Sequence, residues 1–215
     1  MPDLVVVGAG GLGREAAALA QDVSSADGRF FLLGFLDDDP ALAGCEILGL
    51  PVLGGTSWLG RHPTCWYVVG IGDPRVRRHV VETHCLCDDR AATLVHPSAT
   101  VPATCQLGAG SLIFRGAILM QHVTLGRHSV VDVHGSIGHD TRVGDFLTLH
   151  PGGRLSGGVD LDSGVELGTG AIVLPGRRVG RNSIVGAGAV VTRDLPADCT
   201  AVGVPARPIG YRSSP

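Results

Sequence analysis

A histidine followed directly by a carboxylate, His139-Asp140, is a pair suited to proton transfer. Imidazole titrates near neutral pH, and an adjacent carboxylate can orient the ring and strengthen it as a base. Far upstream, Gly8-Ala9-Gly10-Gly11-Leu12-Gly13 joins the apolar run Leu4 to Val7 to an Ala-rich stretch reaching about Gln21. Strand, glycine turn and helix form the context in which backbone amides approach a phosphate at a helix N-terminus. The run Phe31 to Leu36 ends in Asp37-Asp38-Asp39, and Trp66 to Val69 ends in Gly70-Ile71-Gly72-Asp73, ahead of a helix starting near Pro74. Strand ends that carry glycines and carboxylates outline a Rossmann-like ligand crevice. The candidate binding residues there are Gly10, Gly11, Leu12, Asp37, Asp38 and Gly72.

Those elements belong to residues 1–93, with a junction expected near Asp88 to Leu94. Asp37 follows the glycine turn at a distance a dinucleotide site would allow, but one βαβ half lacks the second mononucleotide half that such a fold supplies. A mononucleotide carrying a sugar fits better. Residues 94–215 follow a different period: aliphatic side chains recur at every sixth position from Val95 through Leu107, Leu125, Ile137, Leu155 and Val173 to Val191, with no skipped beat. That period suits neither a helix nor a long strand, but it suits a solenoid of short strands turning a corner every sixth residue. Glycine often follows the aliphatic residue, as at Gly108, Gly126, Gly138 and Gly144, and is expected to make tight corners. Small residues four positions after it, such as Ala117, Ser129 and Ala171, suit a narrow interior.

Composition narrows the classes. With 44% hydrophobic and 17% charged residues the chain can bury a substantial core. A formal charge of -3 and 4% aromatic residues offer no surface for nucleic acid. No apolar run is long enough to cross a membrane and no leader pattern opens the chain, so a cytoplasmic protein is expected. The six cysteines are scattered, and Cys85 and Cys87 lack a second pair to complete a zinc site.

Taken in order, Gly8-Ala9-Gly10-Gly11, Phe35-Leu36-Asp37-Asp38, Ile71-Gly72-Asp73, Leu94-Val95-His96-Pro97-Ser98, Ile137-Gly138-His139-Asp140, the hexads and Val202-Gly203-Val204-Pro205-Ala206 carry a resemblance over essentially the whole chain. The sequence resembles the bacterial nucleotide-amino-sugar N-acetyltransferases and the related sialic acid O-acetyltransferases. The resemblance implies an α/β Rossmann-like domain followed by a left-handed parallel β-helix with three hexads per coil. It also implies a homotrimer with acetyl-CoA between subunits, and no metal. The expected reaction is acetyl transfer to the amine of a nucleotide-linked amino sugar, with His139 as base and Asp140 beside it. Gly157 is implied as the amide donor to the thioester oxyanion, and Thr148, Thr169 and Ala187 as coenzyme contacts.

With three hexads per coil, residues 18 apart share a column about one strand spacing apart, ~4.8 Å. Gln121, His139 and Gly157 then stack, as do Val133, Pro151, Thr169 and Ala187. The chain departs from the family pattern at Thr148, where a second histidine is common, at Leu12 in the glycine turn, and at Asp132, where Asn is frequent; a histidine stands instead at His150. His122, His128 and His134 fall on successive corners and read as surface or interface turn residues. O-acylation of a sugar or sialic acid on the same fold is the near alternative. A non-catalytic nucleotide-sugar scaffold or sensor is the distant one. His134 and His139 have the spacing of two zinc ligands in γ-class carbonic anhydrases, but Ser98 stands where a third histidine would be needed. An acyl-cysteine route would require Cys105, expected to be buried, or Cys199, and neither has an obvious histidine partner.

Overall fold

The computed structural model describes residues 1–211; residues 212–215, the end of the expected second unit, lie outside the described residues. The N-terminal unit is built on β1 (Asp3–Val7), α1 (Gly11–Asp27), β2 (Phe31–Leu36), the short hairpin of β3 (Glu46–Ile47) and β4 (Leu50–Pro51), β5 (Trp66–Val69) and α2 (Pro74–Thr83). The parallel sheet has the order β2-β1-β5, so the glycine turn after β1 opens at its centre. Helix α1 runs past Gln21 because no breaker precedes Gly28, whose left-handed φ of 65° closes the helix through an N–H bond to Ser24 O.

The third glycine of the turn permits close packing of helix on strand. A Cβ at Gly13 would lie 2.0 Å from Gly8 O, while one at Gly70 would lie 2.5 Å from Gly13 Cα. Alanine normally gains about 1 kcal/mol over glycine in a helix. Here the clash decides the sign: Gly13→Ala is expected to lower stability by roughly 1–3 kcal/mol, read by thermal unfolding.

From Leu94 to Val191 the chain forms two-residue strands in three sheets, all paired parallel. Ser136 pairs with Arg154 and Arg154 with Ile172, so each coil takes 18 residues and the section is a three-sided prism. The hexad residues point inward and stack as Leu119, Ile137, Leu155, Val173 and Val191, all buried. Stacking of this kind contributes ~1.5–3 kcal/mol per side chain. The corners differ from the sequence expectation. Left-handed φ falls three positions after the aliphatic residue, at His122, His128, His134, Asp140, Phe146 and Gly158, and not at the glycine that follows it. The following glycine is needed for clearance between coils: a Cβ on Gly138 would lie 2.5 Å from Gly157 N, and one on Gly126 would lie 2.4 Å from Gly144 C.

Cys105 is only partly buried, against expectation, because its coil is the edge of its sheet and nothing covers it from below. Cys199 is fully buried, in a final coil shortened so that Ile184 pairs with Thr200. The strand Arg207–Tyr211 then returns antiparallel along Cys199–Val202.

The N-terminal unit packs on the prism face that carries Leu112, Val130 and Phe114, which share a core with Leu4, Val6 and Ala16. His128 is buried at this junction between Tyr67 and Phe146, with Nε2 3.1 Å from Asp88. Burial pushes its pKa down although Asp88 opposes the shift. Among the described residues no helix is long and apolar enough to cross a membrane.

Candidate active site

The six residues expected to bind a ligand in the N-terminal unit, Gly10, Gly11, Leu12, Asp37, Asp38 and Gly72, line one cleft of about 400 Å³. Neither Gly10 nor Gly11 has an atom within 4 Å of where a Cβ would stand, so the start of α1 is open to a ligand. The first turn of α1 holds no acidic residue, and its unpaired amides face the cleft with the positive end of the helix dipole. Both aspartates also hold the cleft's walls. Asp37 accepts from Ala9 N at 2.8 Å and from Asp39 N at 3.0 Å, which ties the glycine turn to β2. Asp38 accepts from Thr56 N and Thr56 Oγ1. The strand ends with Gly8, Gly70 and Ile71, and then Thr56, Val76 and Val80, complete the lining. Sequence reasoning missed Thr56, Val76 and Val80, since nothing in their spacing separates them from ordinary loop and helix residues.

His139 and Gly157 stack as the 18-residue column requires. A Cβ on Gly157 would stand 2.6 Å from His139 Nε2, so the imidazole occupies the space that only glycine leaves. Asp140 Oδ2 lies 2.8 Å from His139 Nδ1, which leaves Nε2 unbonded, over Gly157. The pair is open to solvent, His139 with 66% of its side chain exposed. In the parallel column one corner away, the equivalent amides are taken: Arg127 N donates to Asp145 Oδ1 and Asp145 N to Ser163 Oγ. The Gly157 amide has no acceptor among the described residues, and the next residue in its column is Pro175. An outward N–H beside an imidazole is the arrangement that acyl transfer uses for a developing oxyanion.

The remaining expected contacts divide. Thr169 and Ala187 are exposed and share a column with Pro151, shown by the Gly170 N to Pro151 O and Gly188 N to Thr169 O bonds. That corner adjoins the face covered by the N-terminal unit, whereas the His139 corner joins the other two sheets and so lies opposite that face. Thr148 is 2% exposed, and its hydroxyl donates to Gly72 O at 2.8 Å while accepting from Arg77 Nη2 at 2.9 Å. Its proton is therefore spent inside the protein and is not offered to a coenzyme carbonyl. Among the described residues no group of three or more His, Cys, Asp or Glu side chains is placed to hold a metal.

A glycine-turn crevice on a Rossmann-like sheet, joined to a three-sided β-helix whose corner carries an imidazole over an open amide, is the architecture of the hexapeptide-repeat acyltransferases. Residues 3–84 match the family described as the PglD N-terminal domain. The chain is 31% identical over 210 residues to the GDP-perosamine N-acetyltransferase of Escherichia coli O157:H7, covering 94% of each. A solved variant of the Caulobacter crescentus perosamine N-acetyltransferase, in complex with CoA and GDP-perosamine, superposes with a TM-score of 0.84 at 31% identity over 98% of both chains. The acetyltransferase domain of PglB from Neisseria gonorrhoeae, in complex with acetyl coenzyme A, gives 0.85 at 30% identity over 96% of this chain and 98% of that one. The chain belongs to the nucleotide-amino-sugar N-acetyltransferase family.

Proposed function

We infer that the protein transfers the acetyl group of acetyl-CoA to the amine of a nucleotide-linked amino sugar by direct attack. Residues 1–93 hold the nucleotide and the β-helix holds the coenzyme. The observation that carries this reading is the His139 Nε2 position over Gly157, with Asp140 on the other ring nitrogen. Nε2 takes a proton from the acceptor nitrogen as it bonds to the acetyl carbonyl carbon, and the oxyanion forms against the Gly157 N–H. Collapse breaks the carbon–sulfur bond, and the CoA thiolate leaves with the proton from His139. Thr169 and Ala187 are assigned to the pantetheine chain. GDP-perosamine is the first acceptor to test, because it is named for both the E. coli relative and the Caulobacter structure.

The two corners explain why a single chain is insufficient. The base lies opposite the face beside which the nucleotide crevice opens, so a second copy must bring its His139 corner to the first copy's crevice. Exposed Ile118, Met120 and Leu174 on the sheet and corner around Ser136 provide apolar surface for that contact. That contact calls for an oligomer, and we assign the homotrimer that the family resemblance implies; a monomer of full activity, by light scattering and assay, would overturn it.

The test of the reaction is thiol release from acetyl-CoA with and without GDP-perosamine and UDP- or dTDP-linked amino sugars. Release that depends on an amino sugar supports the reading, and binding without release would make the protein a sensor. In the same assay Gly157→Ala is expected to cut kcat by roughly 10²–10³-fold, since its methyl displaces His139 and crowds the oxyanion position. Nucleotide-sugar affinity should hold, because the crevice is untouched.

A further inference from the structure

On the same reading of the reaction, we propose that a second cleft beside the glycine turn is an ammonium-receiving subsite, where Asp132 holds the acceptor's charged amine and His150, backed by Glu166, takes its first proton. The cleft has a volume of about 320 Å³ and shares Leu12 and Gly72 with the nucleotide crevice, so a sugar attached to a nucleotide bound there extends directly into it. Glu15, Asp132 and His150 line its walls. Asp132 uses Oδ1 to accept from Val133 N, while Oδ2 has no partner among the described residues. Glu15 makes no ion pair among the described residues. Arg77 lies against the lining residues Gly72 and Thr148, buried and bonded to protein oxygens. Two carboxylates, Glu15 and Asp132, thus line the cleft against a guanidinium that is already occupied, a field that favours a cation.

His150 has a second feature. Its Nε2 lies 3.0 Å from Glu166 Oε1, so Nε2 carries the proton and Nδ1 presents its lone pair. The Glu166 hydrogen bond raises the His150 pKa against burial, Asp132 adds to the rise, and Arg77 opposes it. Thr148, in the strand Thr148–Leu149, and His150, just past its end, both line the cleft; the first is spent on Gly72 and Arg77, which leaves the second as the proton acceptor.

An acceptor that binds as its ammonium requires two proton acceptors at the site. An amino sugar arriving as R–NH₃⁺ must lose one proton before its lone pair is free and a second once the carbon–nitrogen bond forms. The thiolate recovers one, so one proton is released per acetyl transferred. His139 accounts for the second loss and its return to sulfur. The His150 and Glu166 pair receives the first and passes it to solvent.

The experiment measures thiol release with GDP-perosamine and with the same nucleotide sugar bearing a hydroxyl in place of the amine, across pH, for the native protein, His150→Gln and Asp132→Asn. His150→Gln is expected to lose about 10²-fold in kcat at neutral pH and to recover as pH rises to where the amine arrives neutral. Asp132→Asn is expected to raise KM for the amine about 10-fold, with kcat changed less and discrimination against the hydroxyl acceptor reduced. A role in stapling coils together would lower stability without rescue by pH. Variants with native pH profiles and KM would overturn the subsite, and a native protein that turns over no amino sugar would overturn the reaction itself.

Discussion

His139→Asn is expected to reduce acetyl transfer by about 10²–10⁴-fold while leaving nucleotide-sugar binding and thermal stability near native values. The magnitude follows from what asparagine keeps and loses. It preserves a polar group at the corner but has no nitrogen that can take up a proton, so the acceptor amine cannot be deprotonated as the bond forms. Stability should hold because the ring is largely exposed, its one side-chain bond is to equally exposed Asp140, and surface substitutions of this kind usually stay within about ±0.5 kcal/mol. Binding should hold because neither cleft of the N-terminal unit is lined by His139. Single-turnover thiol release, titration of the nucleotide sugar and a melting curve separate the three. A variant that turns over at near the native rate would remove His139 from the reaction. One that also loses the nucleotide sugar would show that the two corners are coupled in a way the single chain does not reveal.

The six-residue beat made the β-helix legible because each beat is one inward side chain in a coil whose length is fixed. A single skipped residue would turn every later side chain to the wrong face. The same regularity carried His139 to Gly157 across 18 residues. It misassigned the glycines, however, because a corner's φ and the clearance between coils both call for a missing Cβ, and sequence cannot separate the two demands. Left-handed φ falls on His128 and Asp140, types that tolerate it, but also on Phe146, which no turn propensity would select, because the strands on either side dictate the corner. The second cleft was invisible for another reason. Glu15 comes from α1, Asp132 and His150 from two coils, and Gly72 from the loop after β5, so only the packing of the two units brings them together.

That packing depends on Arg77, and Arg77→Met is expected to be the most destabilising single change near the site. The side chain is 1% exposed and all five of its N–H groups are used. Nε donates to His128 O at 2.8 Å, Nη1 to the carbonyls of Ile71 and Gly72, and Nη2 to Leu147 O at 2.8 Å and Thr148 Oγ1. One planar group thus joins the rim of the glycine-turn crevice to two successive coils of the β-helix. Burial pulls its pKa down to about 9, which still leaves it charged at neutral pH. Methionine fills similar volume but leaves His128 O and Ile71 O without donors, each costing about 1–3 kcal/mol if water cannot reach it, while Leu147 O keeps Val130 N and Gly72 O keeps the Thr148 hydroxyl. Partial rehydration and added apolar burial offset some of this, so a loss of roughly 3–5 kcal/mol is expected, or about 10 °C in Tm for a chain of this size. Arg77→Lys separates charge from geometry. An ammonium has three donors on a flexible stem and cannot span acceptors from three segments. Lysine should therefore recover only part of the stability and leave Gly72 free to shift, raising KM for the nucleotide sugar. If lysine restores both the melting temperature and KM, the charge alone holds the two units together and the planar fork does not set the crevice.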